Sequence, residues 1–150
     1  MKTGYMVETE FLFGFQPKDR RYDVVSKILK AYAAAKPFPV YFPVSALIEI
    51  REVMASHGKT AIERLNALTY IKAKATASNL QELSLSSEDL ILCEEIMAQH
   101  ANLTFFDALH ASVALSHKLE IVSNDEAYEE AGVKITPFKE FLKLIEKQYP

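Results

Sequence analysis

The stretch TFFDALHAS (residues 104–112), followed by IVSNDEAY (121–128) and GVKITP (132–137), carries most of the information about how this chain folds. Thr104 with Asp107 three residues on is a helix-opening signature, because a hydroxyl and a carboxylate at that spacing satisfy free backbone N–H groups. The helix it opens should run to about His117. Glu120–Val122 is a short apolar strand. Residues 125–131 form a short helix, Val133–Ile135 a last strand, and Phe138–Lys147 a closing helix. Helix, strand, helix, strand and helix in so short a span is the pattern of a parallel sheet with helical crossovers.

The upstream sequence repeats that alternation. Residues 5–8 (YMVE) read as a strand ending near Glu8, followed by a turn with Gly14 and Pro17. Val24, Val25, Ile28, Leu29 and Tyr32 recur at helical spacing within residues 20–35. Pro37 and Pro39 break that helix, and Val40–Phe42 is a second strand. Ser45 is read as the cap of a helix over 46–56 that stops near Gly58. Residues 59–76 are helical, Leu80–Leu85 is strand-like, and Ser86 with Asp89 caps a helix to about His100. The expected architecture is α/β: a three-layer α/β/α sandwich on a central parallel sheet of four or five strands. Crossovers should be right-handed. The ligand site should lie outside the carboxyl ends of the strands.

Composition agrees with one folded unit over residues 1–150. The chain is 49% hydrophobic and 25% charged, as ordinary globular domains are. Its single cysteine, Cys93, forms no internal disulfide, which suits a reducing, cytoplasmic setting. No apolar run is long enough to cross a bilayer. Glu8 and Glu10 come too early for a secretory signal. The net charge of −3 hides an asymmetry. Residues 1–80 hold 12 Lys/Arg against 7 Asp/Glu, a balance of +5, and residues 81–150 hold 5 against 13, a balance of −8. The front half is a candidate surface for a polyanion or simply an uneven helix surface. The overall acidity speaks against tight, purely electrostatic binding of nucleic acid.

Four acids fall where the ligand edge should be. Glu8 ends the first strand, and Asp125 follows the strand at Ile121–Val122. Glu49 and Asp107 lie in the first turns of helices, which border the same edge. Four carboxylates drawn together repel, so such a cluster needs cations or shared protons. Hard divalent ions, Mg2+ or Mn2+, favour oxygen ligands. Each residue has a plainer reading. Asp107 caps its helix, Glu49 favours the helix dipole, and Asp125 is a turn residue between Ser123 and Glu126. Glu8 is the hardest to explain so, because a carboxylate at the end of an apolar strand is costly to bury without a partner.

With these residues in view, the chain resembles the PIN domains, including the VapC-type toxin ribonucleases. TFFDALHAS resembles the family's D-A-x-x-A helix, and IVSNDEAY its V-T/S-N-D-x-x-F turn. Residues 132–137 are similar to its last strand. Val44-Ser45-Ala-Leu-Ile-Glu49 resembles the second acidic motif, and Val7-Glu8-Thr9-Glu10-Phe-Leu its L-D-T-S/N-x-L. The resemblance runs in patches from Val7 to Pro137. It implies that Glu8, Glu49, Asp107 and Asp125 hold one or two Mg2+ or Mn2+ ions in a metal-dependent endoribonuclease. The implied products carry a 5′-phosphate and a 3′-hydroxyl. The implied partners are RNA, a second copy of the chain and an antitoxin, whose groove would be walled by the helical pair at 46–76.

One departure from the family pattern matters. Glu8 stands where the family has Asp. The extra methylene moves the carboxylate by about one bond length, against a site tolerance of about 0.5 Å. The departure keeps a second reading open, an RNA-binding or regulatory PIN fold with weak or no catalysis. Thr9, Ser123 and Asn124 are candidates to orient the carboxylates from behind, Asn124 alternatively serving its turn. Lys18, Arg20, Arg21, Arg51, Lys72 and Lys74 are candidates to track an RNA backbone, or form a solvated face. His110, three residues after Asp107, is expected at the pocket rim. Cys93 and the phenylalanines Phe11, Phe13, Phe15, Phe105 and Phe106 are expected to fill core. No nucleophile elbow and no phosphate-binding loop is present.

Overall fold

The computed structural model describes residues 4–147. Residues 1–3 and 148–150, which the single-domain span and the reading of the N-terminus include, lie outside the described residues. The elements run β1 (Gly4–Val7), α1 (Thr9–Phe13), α2 (Tyr22–Ala35), β2 (Val40–Pro43), α3 (Val44–Ser56), α4 (Ala61–Ala77), β3 (Gln81–Leu83), α5 (Ser87–Gln99), α6 (Phe105–Ser116), β4 (Leu119–Val122), α7 (Ala127–Glu130), β5 (Ile135–Thr136) and α8 (Phe138–Lys147). The five strands form one sheet in the order β3-β2-β1-β4-β5. Every neighbouring pair is parallel. The expected α/β/α sandwich is therefore the fold, with five strands.

The layers follow from the two-residue period of a strand. In β1 all four residues are buried. Tyr5 and Val7 join the core beneath α1, α2, α3 and α8, where Phe11, Ile28, Ile50 and Phe141 meet Val40 and Phe42. Met6 points the other way, into a core with Cys93 of α5, Leu109 and Val113 of α6, and Ile121 of β4. A sheet covered on both faces needs apolar strands throughout. Strand order reverses direction between β1 and its neighbours β2 and β4, so the carboxyl end of β1 lies at the topological switch point.

Three expectations change. The turn after β1 contains a helix, α1. Phe11 and Phe15 lie four residues apart, are both buried, and meet edge to face at 6.1 Å. Their spacing is helical, and reading the phenylalanines as alternating obscured it. Ser45 is not the cap of α3. Pro43 occupies that position with an extended backbone, and Ser45 is fully buried one step inside the helix. The strands β3 and β5 are shorter than expected, because edge strands pair on one side only. Ser86 and Asp89 form the full reciprocal cap as read, whereas at Thr104 only the hydroxyl half forms, accepting from the Asp107 N–H at 3.2 Å; the Asp107 carboxylate makes no return bond to the Thr104 backbone N–H. Among the described residues no helix is long and apolar enough to cross a membrane.

The amino end of β1 is pinned against the chain that enters β2. The Tyr5 N–H donates to the Pro39 carbonyl at 3.1 Å. A Cβ on Gly4 would stand 2.7 Å from that same oxygen. Gly4→Ala is expected to destabilise the protein by about 1–3 kcal/mol, read as a lower urea midpoint with an unchanged slope.

Candidate functional site

Glu8 is the first residue after β1 and takes the N-cap position of α1. Only 3% of it is exposed. The Tyr128 hydroxyl donates to its Oε2 at 3.1 Å. Its Oε1 is buried with no hydrogen-bond partner, the one side-chain atom in that condition among the described residues. Burial, and next the charge of Glu10, push the Glu8 carboxyl up to about 8. A backbone contact from Glu10 and the Tyr128 hydroxyl pull the other way, and Glu49 adds a little to the rise.

Glu49 is handled differently. Burial opposes its charge, but hydrogen bonds from His110 and Thr9 outweigh burial and hold its carboxyl below the usual range. The Thr9 hydroxyl donates to Glu49 Oε1 at 2.5 Å, and His110 Nε2 lies 2.8 Å from the same oxygen. A carboxylate only accepts, so Nε2 carries the proton. His110 Nδ1 is 2.8 Å from Ser45 Oγ. Because α3 begins at Val44, Glu49 lies in its second turn rather than the expected first. Ser45 and Glu49 are one turn apart, and His110 fills the gap between them from α6. His110 is therefore not at the pocket rim. It is fully buried, because α3 and α6 pack together over it. The carboxylate that Thr9 contacts is that of Glu49.

Asp107 lies in the first turn of α6, as expected. Burial raises its carboxyl, and the charges of Asp125 and Glu49 raise it further, against the Thr104 hydrogen bond and His110. Asp125 closes its own turn. Its N–H donates to Ser123 Oγ at 3.0 Å, and its Oδ1 accepts from the Ala127 N–H at 3.0 Å. Ser123 thus shapes the Asp125 loop. Asn124 serves α8 instead, its Oδ1 accepting from the Phe138 N–H at 3.0 Å.

Glu8, Glu49, Asp107 and Asp125 thus stand at one edge of the sheet, near enough to perturb one another electrically. The donor set is all carboxylate oxygen, and it includes a buried oxygen without a hydrogen-bond partner. That chemistry fits a hard divalent cation. The side chains do not form a closed cage: among the described residues no three Asp, Glu, His or Cys groups converge into a ready metal-holding cluster.

The basic candidates are mostly engaged within the fold. Arg21 pairs with Asp19 at 3.1 Å and lies 3.7 Å from Glu10. Arg51 pairs with Glu52, and Lys72 with Glu82. The Lys74 ammonium sits over the rings of Phe15, Tyr22 and Tyr70 at 5.3, 5.5 and 5.9 Å and donates to the Phe15 carbonyl. An ammonium so placed packs α4 against the loop after α1. Lys18 and Arg20 are exposed.

Residues 5–134 match the model of the PIN domain family. That span is most of the chain, and the chain belongs to the PIN domain family. No curated protein sequence matches it. Solved structures do resemble it. VapBC2 from Rickettsia felis, bound to a DNA fragment from its promoter, is 16% identical with a TM-score of 0.64, over 89% of this chain and 98% of that one. VapC20 from Mycobacterium tuberculosis, described as a toxin that cleaves the sarcin–ricin loop, is also 16% identical with a TM-score of 0.64, over 86% and 95%. DNA-bound VapBC from Salmonella typhimurium is 17% identical with a TM-score of 0.64, over 92% and 99%. Identities this low speak for a shared fold.

Glu8 makes a specific prediction about stability. Its carboxyl titrates near 8 when folded and near 4.5 when unfolded. Between those values the native state holds a proton that the unfolded state has lost, so stability falls as pH rises. Glu8→Gln removes that slope. In chelator it should stabilise the protein at pH 7 by up to about 3 kcal/mol and leave it nearly unchanged at pH 4, as read by urea denaturation.

Proposed function

We propose that this chain is a metal-dependent endoribonuclease that hydrolyses RNA phosphodiesters and acts as the toxin of a toxin–antitoxin pair. The observation that carries the reading is the buried, unpartnered Oε1 of Glu8 at the switch point of the sheet, within the field of Glu49. Membership of the PIN family and the likeness to VapC proteins support it.

In this reading Glu8, Glu49, Asp107 and Asp125 hold one or two Mg2+ or Mn2+ ions. Such an ion, when bound, supplies Lewis acidity and makes water a stronger acid near neutral pH. Thr9 and His110 keep Glu49 ionised and pointed in one direction. Ser123 fixes the backbone that presents Asp125. Asp107 remains partly exposed, where an incoming phosphodiester meets the site. Lys18 and Arg20 are free to steer the RNA backbone toward it.

The partners follow the same reading. An antitoxin covers the α3–α4 pair, whose exposed Ile48, Ile62, Leu65 and Tyr70 form an apolar surface that a partner would shield. VapBC assemblies among the similar structures support an antitoxin as the partner. A second copy of the chain completes a homodimer.

Two observations favour a second reading. Glu8 replaces the family's Asp, and no closed cluster of three ligands stands ready among the described residues. An RNA-binding or regulatory PIN fold without catalysis would tolerate both. An RNA cleavage assay with Mn2+ or Mg2+ separates them. The nuclease reading expects chelator to abolish cleavage and Asp107→Asn to lower it by at least about 100-fold, with the thermal midpoint retained. RNA binding without metal-dependent cleavage selects the second reading.

A further inference from the structure

We propose that Tyr128 is a positioning residue for Glu8, its hydroxyl holding one carboxylate oxygen so that the other stays available to a divalent cation. The inference deepens the metal-site reading and rests on it. The geometry comes from two distant parts of the chain. Glu8 leaves the central strand, while Tyr128 lies in α7, just beyond the Asp125 turn. Tyr128 is only 2% exposed, and its ring is packed in the core beneath α5 and α6. Its hydroxyl reaches Glu8 Oε2 at 3.1 Å, and Oε1 is left without a partner.

A phenol beside carboxylates has one useful role, because it donates one hydrogen bond and brings no charge. It satisfies half of Glu8 without neutralising it, as a lysine or arginine would. Glu8, Asp107 and Glu49 all act electrically on this hydroxyl, so it lies among the proposed ligands. Glu8 also has one more rotatable bond than an aspartate. An acid of that length needs an external restraint to present the same oxygen each time, and the Tyr128 hydroxyl is the restraint at hand. Because α7 begins where Asp125 Oδ1 accepts the Ala127 N–H, the same turn places Asp125 and Tyr128. A shift of this turn moves one proposed ligand and the tether of another together.

The test is a double-mutant cycle read by Mn2+ affinity in calorimetry, with RNA cleavage beside it. Tyr128→Phe keeps the ring and removes the donor. It should weaken Mn2+ binding by about 10–100-fold, and cleavage lost at low Mn2+ should return as Mn2+ is raised. Glu8→Asp withdraws the carboxylate from the hydroxyl, so in that background Tyr128→Phe should change affinity by less than about threefold. Unchanged Mn2+ affinity in Tyr128→Phe, or an equal loss in both backgrounds, overturns the tether while leaving the nuclease reading standing. A wild-type chain that takes up no Mn2+ overturns both. Should Tyr128→Phe not fold, the Tyr128 ring resonances of the wild type are followed during Mg2+ titration. They should shift with the binding isotherm in wild type and not in Glu8→Gln, and indifference to Mg2+ in wild type overturns the proposal.

Discussion

The central constraint on the candidate site is one unfavourable burial, the carboxylate of Glu8 at the end of the central strand. Removing a charge from water without a partner costs several kcal/mol, and the protein supplies Glu8 with only part of what it lost. Tyr128 gives one hydrogen bond, and Oε1 receives none. Such an arrangement persists only because the surroundings are stable without it. Two apolar cores, one on each face of the sheet, fix β1 and α1 so firmly that the residue joining them has no exposed alternative. The burial is a consequence of topology: Glu8 leaves the middle strand of five, where both neighbours and both layers close around it.

Glu49 shows what full support looks like at the same edge. Two donors converge on one of its oxygens, from Thr9 and from His110. His110 is held in turn by Ser45. That chain of contacts ties α1, α3 and α6 together through polar groups alone. It leaves Glu49 ionised while Glu8 is driven toward its neutral form. Active sites commonly hold neighbouring carboxylates with opposed tendencies, as structural ion networks also do. A surface acidic patch, open to water, would leave both near their ordinary values.

Much of this was legible in the sequence. The alternation of strand and helix, the parallel sheet and the caps at Ser86 and Thr104 follow from local rules. Glu8 and Asp125 were picked out by asking which residues lie just beyond strand ends, and Glu49 and Asp107 by asking which helix beginnings border the same edge. What the sequence hid were contacts between residues far apart. His110 sits in an apolar helix face, and nothing near it in sequence reveals Ser45 and Glu49 on another helix. Their spacing of four was the only hint. Tyr128 stood in the sequence only as part of the IVSNDEAY turn; its ring is core, and its hydroxyl meets a residue 120 positions away. Lys74 has the opposite history. Its charge suggested a solvated or RNA-facing role, but three aromatic rings from separate segments enclose it.

The treatment of the basic residues bears on how an acidic site meets a polyanion. Arg21, Arg51 and Lys72 are each paired with a neighbouring carboxylate, and Lys74 is sequestered. The positive balance of residues 1–80 therefore overstates the charge available to a ligand. Pairing at the surface contributes little to stability, but it does lower the local potential. In the proposed reading, the ionised carboxylates at this edge would repel a phosphate backbone until a bound cation offset their charge. In the proposed nuclease, substrate binding and cation binding would thereby be coupled through electrostatics. RNA affinity should rise with divalent cation occupancy, rather than with the basic content of the sequence.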